Sequence, residues 1–345
     1  MPSATRWEAL VGAGLALTGC FGAAGHRGPV TDHFDGDVFL NQEPPGQKGV
    51  GEVLSWLISR EPGPWPDWVD APPGPPPPPR VRPGDLRVTF IGHATTLIQL
   101  DGLNVLTDPV YSYQPTPVNG LGPTRVRPPG IRFRDLPRID AVVISHNHYD
   151  HLDLPTLRWL RRVHDPSFFV GLGNAAVLRD GGIERVEEHD WWGRSRVGAL
   201  EVICVPAHHF SRRGAFDGNN TLWAGWVLRS SRAGSVYFAG DTGMGVHFEQ
   251  IRAQLGSPRL AILPIGAYLP RWFMSPVHID PSQAVEAHRI LGAKQSVGIH
   301  YDTFPLADEA YGQAPRDLRR ALVDQGIDPA SFWTLEFGEG RYVGR

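Results

Sequence analysis

Lysine is nearly missing from this chain: of 33 basic residues only Lys48 and Lys294 are lysines, a bias that a GC-rich genome accounts for as well as any function. Cysteine is as rare, with Cys20 and Cys204 alone in 345 residues, so no disulfide framework is indicated. Cys204 falls in the apolar run Val202-Ile203-Cys204-Val205, where a buried, inert thiol is expected. No basic stripe is present, and the net charge of -3 with a pI near 6.5 argues against nucleic acid as a partner. What the chain does have is apolar content: 41% of its residues are hydrophobic, ample for one large buried core or two.

The N-terminus has a texture of its own. Residues 1–20 carry Arg6, an apolar stretch over 9–17 and the ending Leu17-Thr18-Gly19-Cys20. The stretch is too short to cross a bilayer and fits the apolar region of a secretory signal. Its ending resembles a bacterial lipobox, which implies a signal peptide over 1–19, a lipidated Cys20 and an exported, membrane-anchored lipoprotein. Glu8 beside a single Arg leaves an ordinary signal peptide or a misassigned start codon open. Residues 20–84 are rich in Gly and Pro and read as a spacer and extension. Within them residues 53–58 predict a helical turn or two, Trp65 and Trp68 predict docking onto the main domain, and the proline run over 72–79 predicts polyproline II at roughly 3 Å per residue.

A domain over 85–345 follows. Residues 86–91 and 95–100 alternate, Asp101-Gly102 is a hairpin signal, and residues 103–106 return. Apolar runs over 139–144, 168–170, 200–205, 222–228, 236–239 and 260–265 predict further strands. Helices are predicted over 155–163, 281–291 and 315–325, the second with Asp280 as N-cap and Pro281 in its first turn. This pattern predicts an α/β, two-sheet core with helices on its outer faces.

The densest polar feature begins where the strand over 139–144 ends: Ser145-His146-Asn147-His148-Tyr149-Asp150-His151. Residues two apart on extended chain point the same way, so His146 and His148 can serve one ion, while Asp150 and His151 face a second. Packing does not explain three imidazoles and a carboxylate in six residues, because each buried polar group needs its own partner. The pattern His-x-His-x-Asp-His resembles the metal motif of the metallo-β-lactamase superfamily, whose fold is an αββα sandwich of two mixed sheets flanked by helices. That resemblance demands a distant His, a bridging Asp and a last His. Each follows a predicted strand: His208-His209 after Val205, Asp241 after Phe238-Ala239-Gly240, and His300 after Ile299. It therefore implies His146, His148 and His209 on one metal, Asp150, His151 and His300 on another, and Asp241 between them. His209 fits the superfamily spacing from Pro206 better than His208. Imidazole-rich shells with two carboxylates suit two Zn²⁺, with Fe or Mn as alternatives.

Within the superfamily several phrases look like the N-acylphosphatidylethanolamine-hydrolysing phospholipase D branch. They are Phe90-Ile91-Gly92-His93-Ala94-Thr95, Leu106-Thr107-Asp108-Pro109-Val110, Asn220-Thr221-Leu222-Trp223, and a stretch over 263–278 that contains Arg271-Trp272-Phe273-Met274 and ends in His278. His208, Phe210 and Tyr301-Asp302 depart from that branch. The resemblance implies hydrolysis of a membrane phospholipid diester by a metal-held hydroxide, with Asp150 and Asp241 orienting it and His278 favouring the leaving alkoxide. It suggests His93, Trp272 and Phe273 as substrate contacts. A lactonase or sugar-phosphate hydrolase of the same superfamily is the alternative enzyme, and a metal-binding surface lipoprotein the non-enzymatic one.

Overall fold

In the short strand Ala141–Val143, Ala141 and Val143 point into a core between two sheets, while Val142 points into a second core under helices. The period of two in a β-strand is what assigns successive side chains to opposite faces, and here both faces are covered. Phe168, Phe169 and Val170 repeat the division nearby, Phe169 entering the inner core and its neighbours the outer one. Where both faces are covered in this way a strand needs no polar side, which is why Ala141–Val143 and Phe168-Phe169-Val170 read as continuous apolar runs.

The computed structural model describes residues 25–44, 50–118 and 120–344; the signal and lipidation expectations at 1–20, Cys20 included, lie outside them. The first sheet contains β1 (Leu86–Gly92), β2 (Thr95–Leu100), β3 (Leu103–Thr107), β4 (Ala141–Val143), β5 (Ser167–Gly171) and β6 (Val186–His189) in that order, with β14 (Gly340–Tyr342) outside β1. The second contains β7 (Arg194–Val197), β8 (Leu200–Val205), β9 (Gly225–Ser230), β10 (Gly234–Phe238), β11 (Leu260–Pro264), β12 (Gln295–Ile299) and β13 (Phe332–Trp333), again in chain order. Both sheets are mixed. Strands β3 to β6 are parallel, as are β10 to β13, and their C-terminal ends carry the site, the usual place for a ligand in an open α/β sheet.

Seven helices accompany the sheets among the described residues: α1 (Val50–Ser59), α2 (Leu154–His164), α3 (Asn174–Asp180), α4 (His247–Leu255), α5 (Arg271–Met274), α6 (Pro281–Leu291) and α7 (Gln313–Asp324). Helices α2 and α3 bury Leu157, Leu160 and Leu178 against the first sheet, and α6 and α7 bury Val285, Leu291, Leu318 and Leu322 on the second. The result is the expected αββα sandwich. Helix α6 starts as the sequence predicts, Asp280 accepting from the Gln283 N–H at 2.8 Å in a capping box.

Two expectations shift. The strand expected over 222–228 begins only at Gly225, because the N–H groups of Leu222 and Ala224 bond to the carbonyls of Leu172 and Ser145 instead of a ladder partner. The segment read as a spacer lies on the body. Phe34 and Phe39 are fully buried in the inner core, and the Pro78 and Pro79 carbonyls accept from Gln99 and Asn104. Trp65 donates its Nε1–H to the Glu309 carbonyl. His33, stacked on Trp191 at 4.3 Å, sits between Asp32 at 2.6 Å and Asp190 at 2.7 Å. Burial opposes the charged form of His33, but the two carboxylates outweigh it and raise its pKa.

Candidate metal centre

Strand ends set the positions of the polar groups. The chain leaves β4 after Val143, and the residues from Ser145 to His151 turn across the top of the sandwich. There His146 Nε2 lies 2.7 Å from His148 Nδ1, with His209 Nε2, beyond β8, 3.4 Å from the same His148 atom. Asp241, beyond β10, places Oδ2 3.2 Å from both His151 Nε2 and His300 Nε2, and 3.9 Å from His209 Nε2. Asp150 Oδ2 completes the second group at 3.5 Å from His151 Nε2 and 3.7 Å from His300 Nε2. All seven residues named in the sequence converge: His146, His148 and His209 make one trio, Asp150, His151 and His300 another with His93 beside it, and Asp241 reaches both.

Close approaches hold this packing. Gly240, at φ 62°, precedes Asp241, and a Cβ there would stand 2.3 Å from Ser145 Cβ, so only glycine lets the Asp241 turn reach the His146 loop. His93 and His300, at φ 56° and 67°, are non-glycine residues in the left-handed region. The His300 N–H donates to the His93 carbonyl at 2.9 Å, joining the end of one sheet to the end of the other. Backbone strain of this sort costs about 1–3 kcal/mol per residue and gathers at functional sites.

Outer partners select which ring nitrogen faces inward. Asp108, fully buried after β3, accepts from His151 Nδ1 at 2.7 Å and from the Ser145 hydroxyl at 2.5 Å. The same hydroxyl oxygen lies 2.9 Å from His146 Nδ1. One carboxylate thus turns the lone pairs of His146 and His151 toward the cluster, an arrangement that tunes and orients metal ligands. His209 Nδ1 donates to the Val277 carbonyl at 2.9 Å, which leaves its Nε2 facing inward. Arg213, stacked on Tyr149, donates to the Asn147 and Leu152 carbonyls and braces the loop from outside.

Electrostatics fit a cation. Burial, with the neighbouring imidazoles, holds His146 far below the ordinary histidine pKa; burial likewise takes His148 and His209 down to about 3. These rings are neutral, the form that ligates. Burial would raise the pKa of Asp150 and Asp241, but the facing His151 and the other imidazoles hold both well below the carboxylate range. For His300 the cost of burial is outweighed by Asp241 and Asp150, and its pKa rises to about 9. His151 Nε2, His300 Nε2 and Asp241 Oδ1 are buried with no hydrogen-bond partner. Unpaired buried polar atoms are costly; several converging on one point fit a divalent cation.

The remaining sequence-named residues divide. His209 joins the cluster, whereas His208 turns toward Gly243 and Gly245. His278 faces the cluster, Nδ1 3.9 Å from Asp241 Oδ2, and burial lowers its pKa to about 4. The start of α6 is closed by Asp280, so an anion near His278 would meet the imidazole and not a free helix terminus. His93, expected to contact substrate, is 1% exposed and outside the cleft's lining; its Nε2 lies 2.9 Å from Asp150 Oδ2, beside the group of Asp150, His151 and His300. Phe273 lines the cleft above the cluster, stacked on Trp56 at 4.6 Å, while Trp272 lies outside the cleft and 48% exposed. Sequence reading missed Asn41, Asp108 and Arg213 as parts of the site; of these only Asp108, at the end of a predicted strand in Thr-Asp-Pro, carried a signal.

A family model described as a β-lactamase superfamily domain matches residues 103–301, more than half the chain and a span that takes in His146, His148, Asp150, His151, His209, Asp241 and His300. This chain belongs to the β-lactamase superfamily. It is a metal-dependent hydrolase of that superfamily with the metallo-β-lactamase sandwich. It is 39% identical to an N-acyl-phosphatidylethanolamine-hydrolyzing phospholipase D of Caenorhabditis elegans over 74% of this chain and 75% of that one. It is 33% identical to a UPF0173 metal-dependent hydrolase of Methanopyrus kandleri over 70% of this chain and 94% of the relative. Among solved structures, a metallo hydrolase from Ignicoccus hospitalis shares the fold with a TM-score of 0.57 at 23% identity, covering 76% of this chain and 99% of that one.

Proposed function

We propose that this superfamily member is a dinuclear zinc phosphodiesterase acting on a membrane phospholipid, N-acylphosphatidylethanolamine above all, and cleaving on the head-group side to leave phosphatidic acid. The observation that carries the reading is the cleft over the cluster. About 650 Å³ in volume, it has His148, Asp150, His209, Asp241, His278 and His300 in its lining. An apolar wall of Val53, Trp56, Phe273, Met274 and Leu306 stands beside them. Such a cleft offers an acyl chain shelter next to a place for a phosphate. Arg212 is the one Lys or Arg among the described residues that line it, and its exposed side chain supplies a positive group for an anionic substrate. The 39% identity to the nematode phospholipase D supports the same substrate class.

In this reading His146, His148 and His209 hold one ion and Asp150, His151 and His300 the other, with Asp241 between. Bound there, the metals supply Lewis acidity and a water acidified toward neutrality. The chain's own groups do the rest. Asp150 and Asp241, ionised at neutral pH, accept hydrogen bonds from the attacking water and aim it at phosphorus. His278, neutral at a pKa of about 4, meets the leaving oxygen with an N–H hydrogen bond. The apolar wall keeps bulk water from the acyl side. We propose further that Cys20 is lipidated and holds the enzyme at a membrane face, where substrate is concentrated; two or three acyl chains at about 0.8 kcal/mol per buried methylene make such an anchor durable.

Turnover in ¹⁸O water tests the chemistry. The expected product is phosphatidic acid carrying the label; label in the released alcohol, or rapid opening of lactones with no diester turned over, would overturn the proposal in favour of a lactonase. Metal analysis tests the ions, with two zinc per chain expected and stoichiometric iron or manganese correcting the metal. Detergent partitioning of wild type against Cys20→Ala tests the anchor; equal recovery in the aqueous phase would refute it.

A further inference from the structure

The segment Thr31 to Pro44 lies outside the stretch that matches the family domain, yet it reaches the metal centre. His33 and Asp190 pin its start, and Phe34 and Phe39 bury it in the inner core. Its next residues arrive at β8's exit, where Asn41 makes a two-sided contact with the backbone of one residue, bridging the two peptide groups that flank the His209 Cα. The Asn41 carboxamide donates Nδ2–H to the His209 carbonyl at 2.8 Å and accepts the His209 N–H on Oδ1 at 3.0 Å. Trp223, fully buried, donates its Nε1–H to the same Oδ1 at 3.0 Å, which stops the carboxamide from flipping. His209 itself has no exposure, so neither of its backbone groups has water as a substitute partner.

We infer that Asn41 is a positioning residue for the metal centre, fixing His209 as a donor from a segment that precedes the stretch matching the family domain. A histidine ligand has to be set in two respects, the course of its backbone and the turn of its ring. The Val277 carbonyl sets the ring through Nδ1, and Asn41 sets the backbone through both backbone hydrogen bonds of His209. A side-chain amide does this as a neighbouring β-strand would, in a place where no strand runs. Donor atoms must be held to within roughly 0.5 Å for a site to keep its geometry, and losing an outer partner of a ligand typically lowers metal affinity 10- to 100-fold. The inference rests on His209 being a ligand, as proposed above.

Cobalt(II) binding to the full-length protein tests it without any substrate. Wild type, Asn41→Ala, Asn41→Asp and Glu43→Gln are titrated with Co²⁺ alone, following the d–d absorption, with melting temperature measured alongside. Asn41→Ala is expected to bind one of the two ions about 10- to 100-fold more weakly and with an altered band. Asn41→Asp keeps the acceptor for His209 N–H but faces the His209 carbonyl with an oxygen, and should fall between. Glu43→Gln removes the charge from a neighbouring contact of the same segment, made to the Val246 N–H, and should keep the wild-type spectrum. Wild-type affinity and spectrum in a folded Asn41→Ala would overturn the inference, as would an equal change in Glu43→Gln, which would trace the effect to undocking of the whole segment. No cobalt on the wild type would instead refute the metal reading of the cluster.

Discussion

Exchanging Asp108 for asparagine changes one atom in a fully buried side chain and leaves its volume almost untouched, so its effect isolates the hydrogen-bond directions around it. In the native arrangement a single carboxylate accepts from the Ser145 N–H at 2.7 Å, from the Ser145 hydroxyl and from His151 Nδ1–H. In Asp108→Asn one of the two oxygens becomes a donor. If the amide nitrogen takes the Oδ2 place, His151 must accept on Nδ1 and carry its proton on Nε2. Ser145 must then donate to His146 Nδ1, and that ring also presents N–H to the cluster. In the opposite orientation the amide meets the Ser145 N–H donor to donor, leaving a buried group unsatisfied at about 1–3 kcal/mol. The first outcome turns one ligand of each trio away from metal. A 10- to 100-fold loss in affinity is expected at each position, about 1.4–2.7 kcal/mol apiece, with melting of the metal-free protein nearly unchanged. Zinc binding against a buffered chelator, read beside the metal-free melting curve, is the assay. Two zinc ions held at wild-type affinity by Asp108→Asn would refute the reasoning.

Four further outcomes follow from the geometry. His209→Ala should abolish turnover while His208→Ala costs at most about 10- to 100-fold; the reverse ranking on metal-loaded variants would exchange their roles. Gly240→Ala meets both a left-handed backbone and the side chain of Ser145, and should cost about 2–6 kcal/mol in urea unfolding, with a loss below 1 kcal/mol counting against the close approach. Arg212→Ala should raise KM for an anionic diester about 10-fold or more, the value of one charge-assisted hydrogen bond, and leave a neutral lactone unaffected; equal effects on both would remove its role. His33 has a raised folded-state pKa, so its pairing with Asp32 and Asp190 stabilises fully below its unfolded value of 6.5 and fades as pH rises through the folded one. The Tm gap between wild type and His33→Gln should therefore be widest at acidic pH and close toward alkaline pH; a gap independent of pH would show the contact to be one of packing.

The two-sheet fold and the seven clustered residues were readable from the chain because both rest on strong local signals. Apolar runs bounded by turns mark strands buried on two faces, and the candidate ligands follow the ends of such runs. Strands β6 and β7 gave no such signal: Val186–His189 and Arg194–Val197 are mostly polar and partly exposed, and only pairing with β5 and β8 makes them strands. Helix α4 hides among loop residues, since its buried face is only His247, Phe248 and Ile251. The outer partners of the ligands were unreadable for a different reason. Asn41 lies 168 positions from His209, and no periodicity links a lone asparagine in a Pro-rich and Gly-rich segment to a histidine it meets only after folding. His93 shows the converse, a residue whose phrase pointed to the site while its direction, toward Asp150 and away from the cleft, depended on a left-handed turn.

The order of the donors along the chain bears on how the protein is made. A chain made as far as His189 holds six of the first sheet's seven strands and four of the candidate donors, His146, His148, Asp150 and His151, but neither trio has its third member. His209 arrives with β8, Asp241 with β10, and His300 only at the end of β12. The two candidate trios are therefore completed at different points of the chain, the first with His209 and the second only with His300. The His300 N–H to His93 carbonyl bond ties the last of these donors to the turn between β1 and β2, so the two parts of the candidate centre most distant in sequence are held by the backbone itself.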